Sequence, residues 1–120
     1  MSVIDIKMSA IYKAAHEECP AKAHAFAAEA GLLSSSIDGL VTELNLAGNH
    51  PIGGDLADVA VELFIHMRSM VKTFNDTAVG LDRIADDFVK TDQQAKAWLD
   101  KHRSYVGDPD TADLPTAPKV

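Results

Sequence analysis

A chain of 120 residues with 18 acidic and 11 basic side chains, a formal charge of −7 and 47% apolar residues is a single globular domain with a modest core. The acidic balance argues against sheathing by nucleic acid or anionic lipid, both of which select clustered Lys and Arg. No apolar run approaches the roughly 20 residues needed to cross a bilayer, and Cys19, the only cysteine, excludes an internal disulfide framework.

The chain opens with MSVIDIKMSAIYKAA, which has no basic start followed by an unbroken apolar stretch. A Sec-type signal peptide is therefore not expected, and any export would use a leaderless route from the cytoplasm. Apolar or small residues then recur at Met8, Ile11, Ala15, Cys19, Ala23, Phe26, Ala30, Leu33, Ile37, Leu40 and Leu44. Steps of three and four mark one face of a helix, expected over about 9–47 with Ser9 or Asp5 as its N-cap. Pro20 interrupts the pattern. It lacks the amide proton owed to His16 and crowds that carbonyl, so a kink or break is expected near 17–19.

A turn is expected over 48–54, carried by Ile52, Gly53 and Gly54, with Gly48 at the preceding helix end. Asp55 then reads as the N-cap of a second helix over about 55–101, with Asp58 favourable in its first turn. Its apolar line, Leu56, Ala60, Leu63, Met67, Met70, Phe74, Thr77, Leu81, Ile84 and Phe88, keeps the 3–4 period throughout. With Ala60 as heptad position a and Leu63 as d, the neighbouring e line of Phe64, Val71, Ala78 and Ala85 is also apolar. A stripe this wide exceeds a two-stranded seam and predicts contact with more than one helix. Beyond Lys101 the period stops, and the Pro- and Asp-rich residues 104–120 read as a disordered tail.

These elements predict an all-α fold: an antiparallel helix-turn-helix hairpin over residues 1–103. Two helices alone leave much of the stripe exposed, and exposed apolar surface on that scale marks an interaction site. A partner hairpin, or a second copy, would complete a four-helix bundle. The expected partner face is Leu56, Ala60, Leu63, Phe64, Met67, Met70, Val71, Phe74, Leu81 and Ile84. A monomer with the piece before Pro20 folded back is the alternative.

Catalytic chemistry finds no foothold in the spacing. Glu62 precedes His66 by four residues, not the three of a di-metal carboxylate bundle. His16-Glu17-Glu18-Cys19 lacks the second histidine of a zinc motif. Cys19 sits on an apolar face, where a thiol is usually core, and Gly53-Gly54 has neither the lysine nor the preceding strand of a phosphate cradle. No cofactor, metal or nucleic-acid partner is expected, and the chain reads as a non-enzyme.

The stretch ADDFVKTDQQA, Ala85 to Ala95, carries the one motif of interest. Phe88 and Asp92 stand one helical turn apart. They are either the last core residue and a fraying polar end, or a recognition element in which a ring fills a pocket and a carboxylate fixes its orientation.

At this point the chain resembles the small hairpin proteins of the ESX, or type VII, secretion system, in particular WXG-like and EspC-like members. The resemblance rests on IDIKMSAIYKAA (Ile4 to Ala15), HPIGGDLADVA (His50 to Ala60) and TAVGLDRIADDFVKTDQQA (Thr77 to Ala95), within about residues 3–100. It implies that an aromatic-x-x-x-acid motif after the second helix, here Phe88 and Asp92, is an export signal read by a membrane-bound secretion ATPase. It also implies pairing with a sibling hairpin or with the N-terminal helical region of an LXG-type effector. The sequence departs from the family in two places: Ile52-Gly53-Gly54 stands where Trp-x-Gly is usual, and Phe88 where tyrosine is commoner. The rival reading is a cytoplasmic adaptor or immunity-type bundle, homodimeric and not exported.

Overall fold

The computed structural model of the chain describes residues 3–47 and 51–118, and among these every regular element is helical. Helix α1 spans Val3–Lys13, α2 spans Cys19–Ala47, α3 spans Pro51–Thr91 and α4 spans Gln93–Lys101, with a short 3₁₀ turn at Arg103–Tyr105. The molecule is a rod of 68 × 21 × 18 Å, its length set by the 41 residues of α3 at about 1.5 Å each.

α1 and α2 form one run joined by a π-helical turn, Ala14–Glu18. This turn is how the chain accommodates Pro20. The Cys19 amide bonds to the Ala14 carbonyl, five residues back, so the turn before Pro20 is widened around the carbonyls the proline ring would crowd. Its one extra residue is visible in the buried line: Met8, Ala15, Ala23, Ala30 and Ile37 step by seven except across the π turn, where the step is eight.

α3 lies antiparallel to this run. Ile37 packs with Phe64, Ala23 with Val71, His16 meets Asp82 and Tyr12 meets Asp86. The α3 residues that face the α1–α2 run are the e line, Phe64, Val71, Ala78 and Ala85, extended by Ala57. Small side chains on both helices let the backbones approach closely.

Several expectations are corrected. The first helical run starts at Val3 rather than near residue 9, so Asp5 and Ser9 stand inside it rather than capping it. Ile52, Gly53 and Gly54 belong to α3, which begins at Pro51; the part of the expected turn at 48–50 lies outside the described residues. Proline at a helix start costs nothing, because its missing N–H would be unpaired there anyway, so Asp55 stands inside the helix rather than capping it, and Asp58 lies beyond the first turn. The second helix does not run unbroken to 101. It stops at Thr91, and Asp92, with φ −125° and ψ 120°, starts α4, which turns back so that Trp98 packs over Tyr12. Residues 106–118 are not a disordered tail. They run beside α2 and α3, burying Ala112 against Ala23 and Val71, and Asn75 pairs both backbone groups of Ala112.

Candidate functional site

Because α2 takes the e line of α3, the d line is left outside. Leu56, Leu63, Met70 and Ile84 are exposed, with Val59 and Phe88 beside them. Of the other residues expected on a partner face, Phe64 and Val71 are buried inside the hairpin, and Ala60, Met67, Phe74 and Leu81 are half-buried between the two lines. The expected face is thus divided: its inner edge is intramolecular core and its outer edge is free ridge. Phe26 and Phe74, stacked with centroids 5.8 Å apart and planes 12° apart, join the α2 and α3 sides of this half-buried border. The ridge repeats every seven residues (56, 63, 70, 77, 84), the period of a coiled-coil seam.

Phe88 is 40% exposed. It is therefore not the last core residue of the hairpin; Val89 fills that place beside Trp98 and Ala95. Asp92 caps α4: its Oδ1 accepts from the Gln94 amide at 2.9 Å and the Ala95 amide at 3.0 Å. The Asp92 amide closes α3 by donating to the Phe88 carbonyl at 2.9 Å. The two residues are brought close, one at the end of a helix and the other at the start of the next, but Asp92 has a structural duty.

The most elaborate polar site is elsewhere, where α1, the π turn, α3 and α4 meet. His16 Nε2 and Asp82 Oδ1 are 2.6 Å apart, with both side chains less than a tenth exposed, and Tyr12 donates to Asp86 at 3.0 Å. Aromatic rings enclose the pair. Tyr12 lies parallel to Trp98 at 5.7 Å and to Tyr105 at 5.7 Å; His102 stacks on Trp98 at 4.0 Å; and Tyr105 meets the His16 ring edge at 5.6 Å.

Burial lifts the Asp82 carboxyl above its ordinary value; the His16 hydrogen bond opposes that, and the neighbouring carboxylates of Asp86 and Asp108 add to it. Burial, then the Asp86 carboxylate, raises the Tyr12 hydroxyl. Burial and Glu17 raise Tyr105. No buried side-chain polar atom among the described residues lacks a partner, so this is a satisfied network that fixes how α1, α3 and α4 meet. Sequence reading missed it because Asp82 interrupts an apolar helix as one charge among several, and its partner lies 66 residues away.

Among the described residues no three His, Cys, Asp or Glu side chains are arranged to hold a metal ion, and no helix is long and apolar enough to cross a membrane. Cys19 is half-buried, its thiol raised by burial and by Glu18, which disfavours the reactive thiolate. Glu62 and His66 are both exposed. No protein-family model matches the chain, and no curated protein or solved structure does either.

Proposed function

We propose that the chain is a non-enzymatic hairpin that docks the exposed ridge of α3 against another helical protein to complete a four-helix bundle, and that it serves type VII export of itself or that partner. The observation that carries the pairing is the ridge of Leu56, Leu63, Met70 and Ile84. Four large apolar side chains on one heptad line, interrupted only by Thr77 and lying beside an already filled heptad line, suit a second pair of helices better than an extended peptide or a flat lipid surface. The partner is a sibling hairpin, the N-terminal helical region of an effector, or a second copy. The export element is Phe88 with Asp92, an exposed ring at the helix break, presented to a secretion ATPase. The chain is cytoplasmic before export.

One observation favours the rival, an adaptor that stays in the cell: the Asp92 carboxylate already accepts two amide hydrogen bonds. The experiment must separate a cap from an address. Asp92→Asn keeps a good cap and removes the charge. Retention of Asp92→Asn in the cell, with folding and partner binding intact, supports the address. Export equal to wild type, or a wild type that never leaves the cell, hands the function to the adaptor.

A further inference from the structure

The segment 106–118 contains no helix, yet it lies along the side of the rod. It leaves the 3₁₀ turn through Gly107, whose φ of 104° glycine adopts without steric cost, and runs back beside α2 and α3. Asn75 holds its middle by the main chain. The Asn75 amide donates from Nδ2 to the Ala112 carbonyl at 2.6 Å and accepts the Ala112 N–H on Oδ1 at 3.0 Å. One carboxamide thus satisfies both backbone groups of one extended residue, a contact indifferent to that residue's identity.

Selectivity comes from what lies around the clamp. The Ala112 side chain is buried against Ala23 and Val71, which favours a small residue there. Asp110 lies 3.5 Å from His24, and Arg68 donates to the Pro115 carbonyl at 3.3 Å. Farther along, an open cavity of about 460 Å³ lies between Leu114–Pro118 and the α3 residues Val61, Phe64 and Ile65, so the groove is roomier than the segment in it.

We infer that this groove is a peptide-recognition site. Its ligand is an extended segment with a small residue at the clamp and an acid two positions before it. The chain's own residues 106–118 are the resident occupant, and the same segment of a second copy can replace them. The contacts from Ala23, His24, Arg68, Val71 and Asn75 that seat the segment are all made by side chains of α2 or α3, so the segment of another molecule meets the same groups. Tethering supplies a high effective concentration, which keeps the groove filled in cis until the resident is withdrawn. The groove flanks the buried line of α3 on the side away from the exposed ridge, so it stands or falls independently of the pairing proposed above.

The test uses the full chain carrying Ala112→Trp, whose own segment no longer fits, and a fluorescent peptide of residues 106–118 as probe. Saturable binding to this variant is expected, at least about tenfold weaker to wild type because the groove is filled in cis, and lost when Asn75→Ala is added. A full-length chain with 108–118 replaced by Gly and Ser leaves α2 and α3 untouched and serves if the tryptophan variant does not fold. Absence of saturable binding to a folded tail variant, or binding that survives Asn75→Ala, overturns the inference.

Discussion

The two ends of the buried helix contact are built from different materials. Around His16 the chain uses aromatic rings and two hydrogen bonds to carboxylates, drawn from four helical elements. Along the shaft it uses Ala23, Ala30, Ala57 and Ala78, relieved by Ile37, Phe64 and Val71. Directional hydrogen bonds and ring stacks admit few alternative arrangements, so the junction fixes register and the return of α4. An alanine seam brings backbones together but buries little per residue, at about 0.8 kcal/mol per methylene. It also leaves the longer side chains on its flank uncovered. Stability of the hairpin is therefore concentrated at the junction, and exposed apolar surface along the shaft.

The largest expected effect tests the first half of that contrast. Trp98→Ala removes the ring that joins Tyr12, His102 and Tyr105 and should cost about 3–5 kcal/mol, read from denaturant unfolding. A loss under about 1 kcal/mol would mean that the shaft alone holds the fold.

His16→Ala comes next, at about 1–3 kcal/mol, because it leaves a buried carboxylate without its hydrogen-bond partner. This substitution also has a pH signature. Asp82 is raised above its ordinary 3.8, so the folded state holds that proton more tightly than the unfolded chain. The corresponding stability is complete below about pH 3.8 and is lost as pH rises through the folded value. Removing His16 removes the group that opposes the shift, which should widen the window of loss. Asp82→Asn should flatten it. Melting temperatures of the three proteins across acidic pH decide the matter, and parallel profiles would show that Asp82 does not titrate as a buried group.

The contrast also explains how much of the molecule the sequence discloses. Periodicity identifies the hairpin and the apolar lines of α3, because those depend on local spacing. It even contains the π turn: Ile11, Ala15, Cys19 and Ala23 are three successive steps of four where the rest of the helix alternates, although Pro20 alone suggests a break. Spacing could not reveal that α2 would choose the e line over the d line, since both are apolar and the choice rests on how closely alanines let two helices approach. The junction was less legible still. His16 with Asp82, and Tyr12 with Asp86, are long-range pairs of ordinary residues, and Trp98 reaches them only because Asp92 reverses the chain. The ordered course of residues 106–118 was missed for a related reason: a Pro- and Asp-rich composition predicts disorder, but says nothing of an Asn75 waiting on another element.

A smaller effect belongs to the helix break itself. Asp92→Ala should cost about 1 kcal/mol through loss of the α4 cap, whereas Asp92→Asn should cost a few tenths. Equal losses would indicate that the charge, rather than the cap, matters to folding, and would remove the means of separating cap from address in an export assay.

The smallest effect on stability is the most informative about the shaft. Leu63→Glu and Met70→Glu alter exposed side chains, so the unfolding free energy of the monomer should stay within about 0.5 kcal/mol of wild type. In a bundle the same positions are desolvated against a partner helix, and a carboxylate there should weaken pairing at least about tenfold, or 1.4 kcal/mol. Sedimentation of the chain alone and with a candidate partner measures that loss. Val71→Glu is the counterpart on the adjacent line: Val71 is fully buried, and a carboxylate there should unfold the hairpin rather than merely free it from a partner. If the ridge variants destabilise the monomer as much as Val71→Glu does, the ridge is covered within the chain and the division between the two lines is wrong. If they leave both folding and pairing untouched, the apolar ridge is surface with no occupant, and association must be sought on another face.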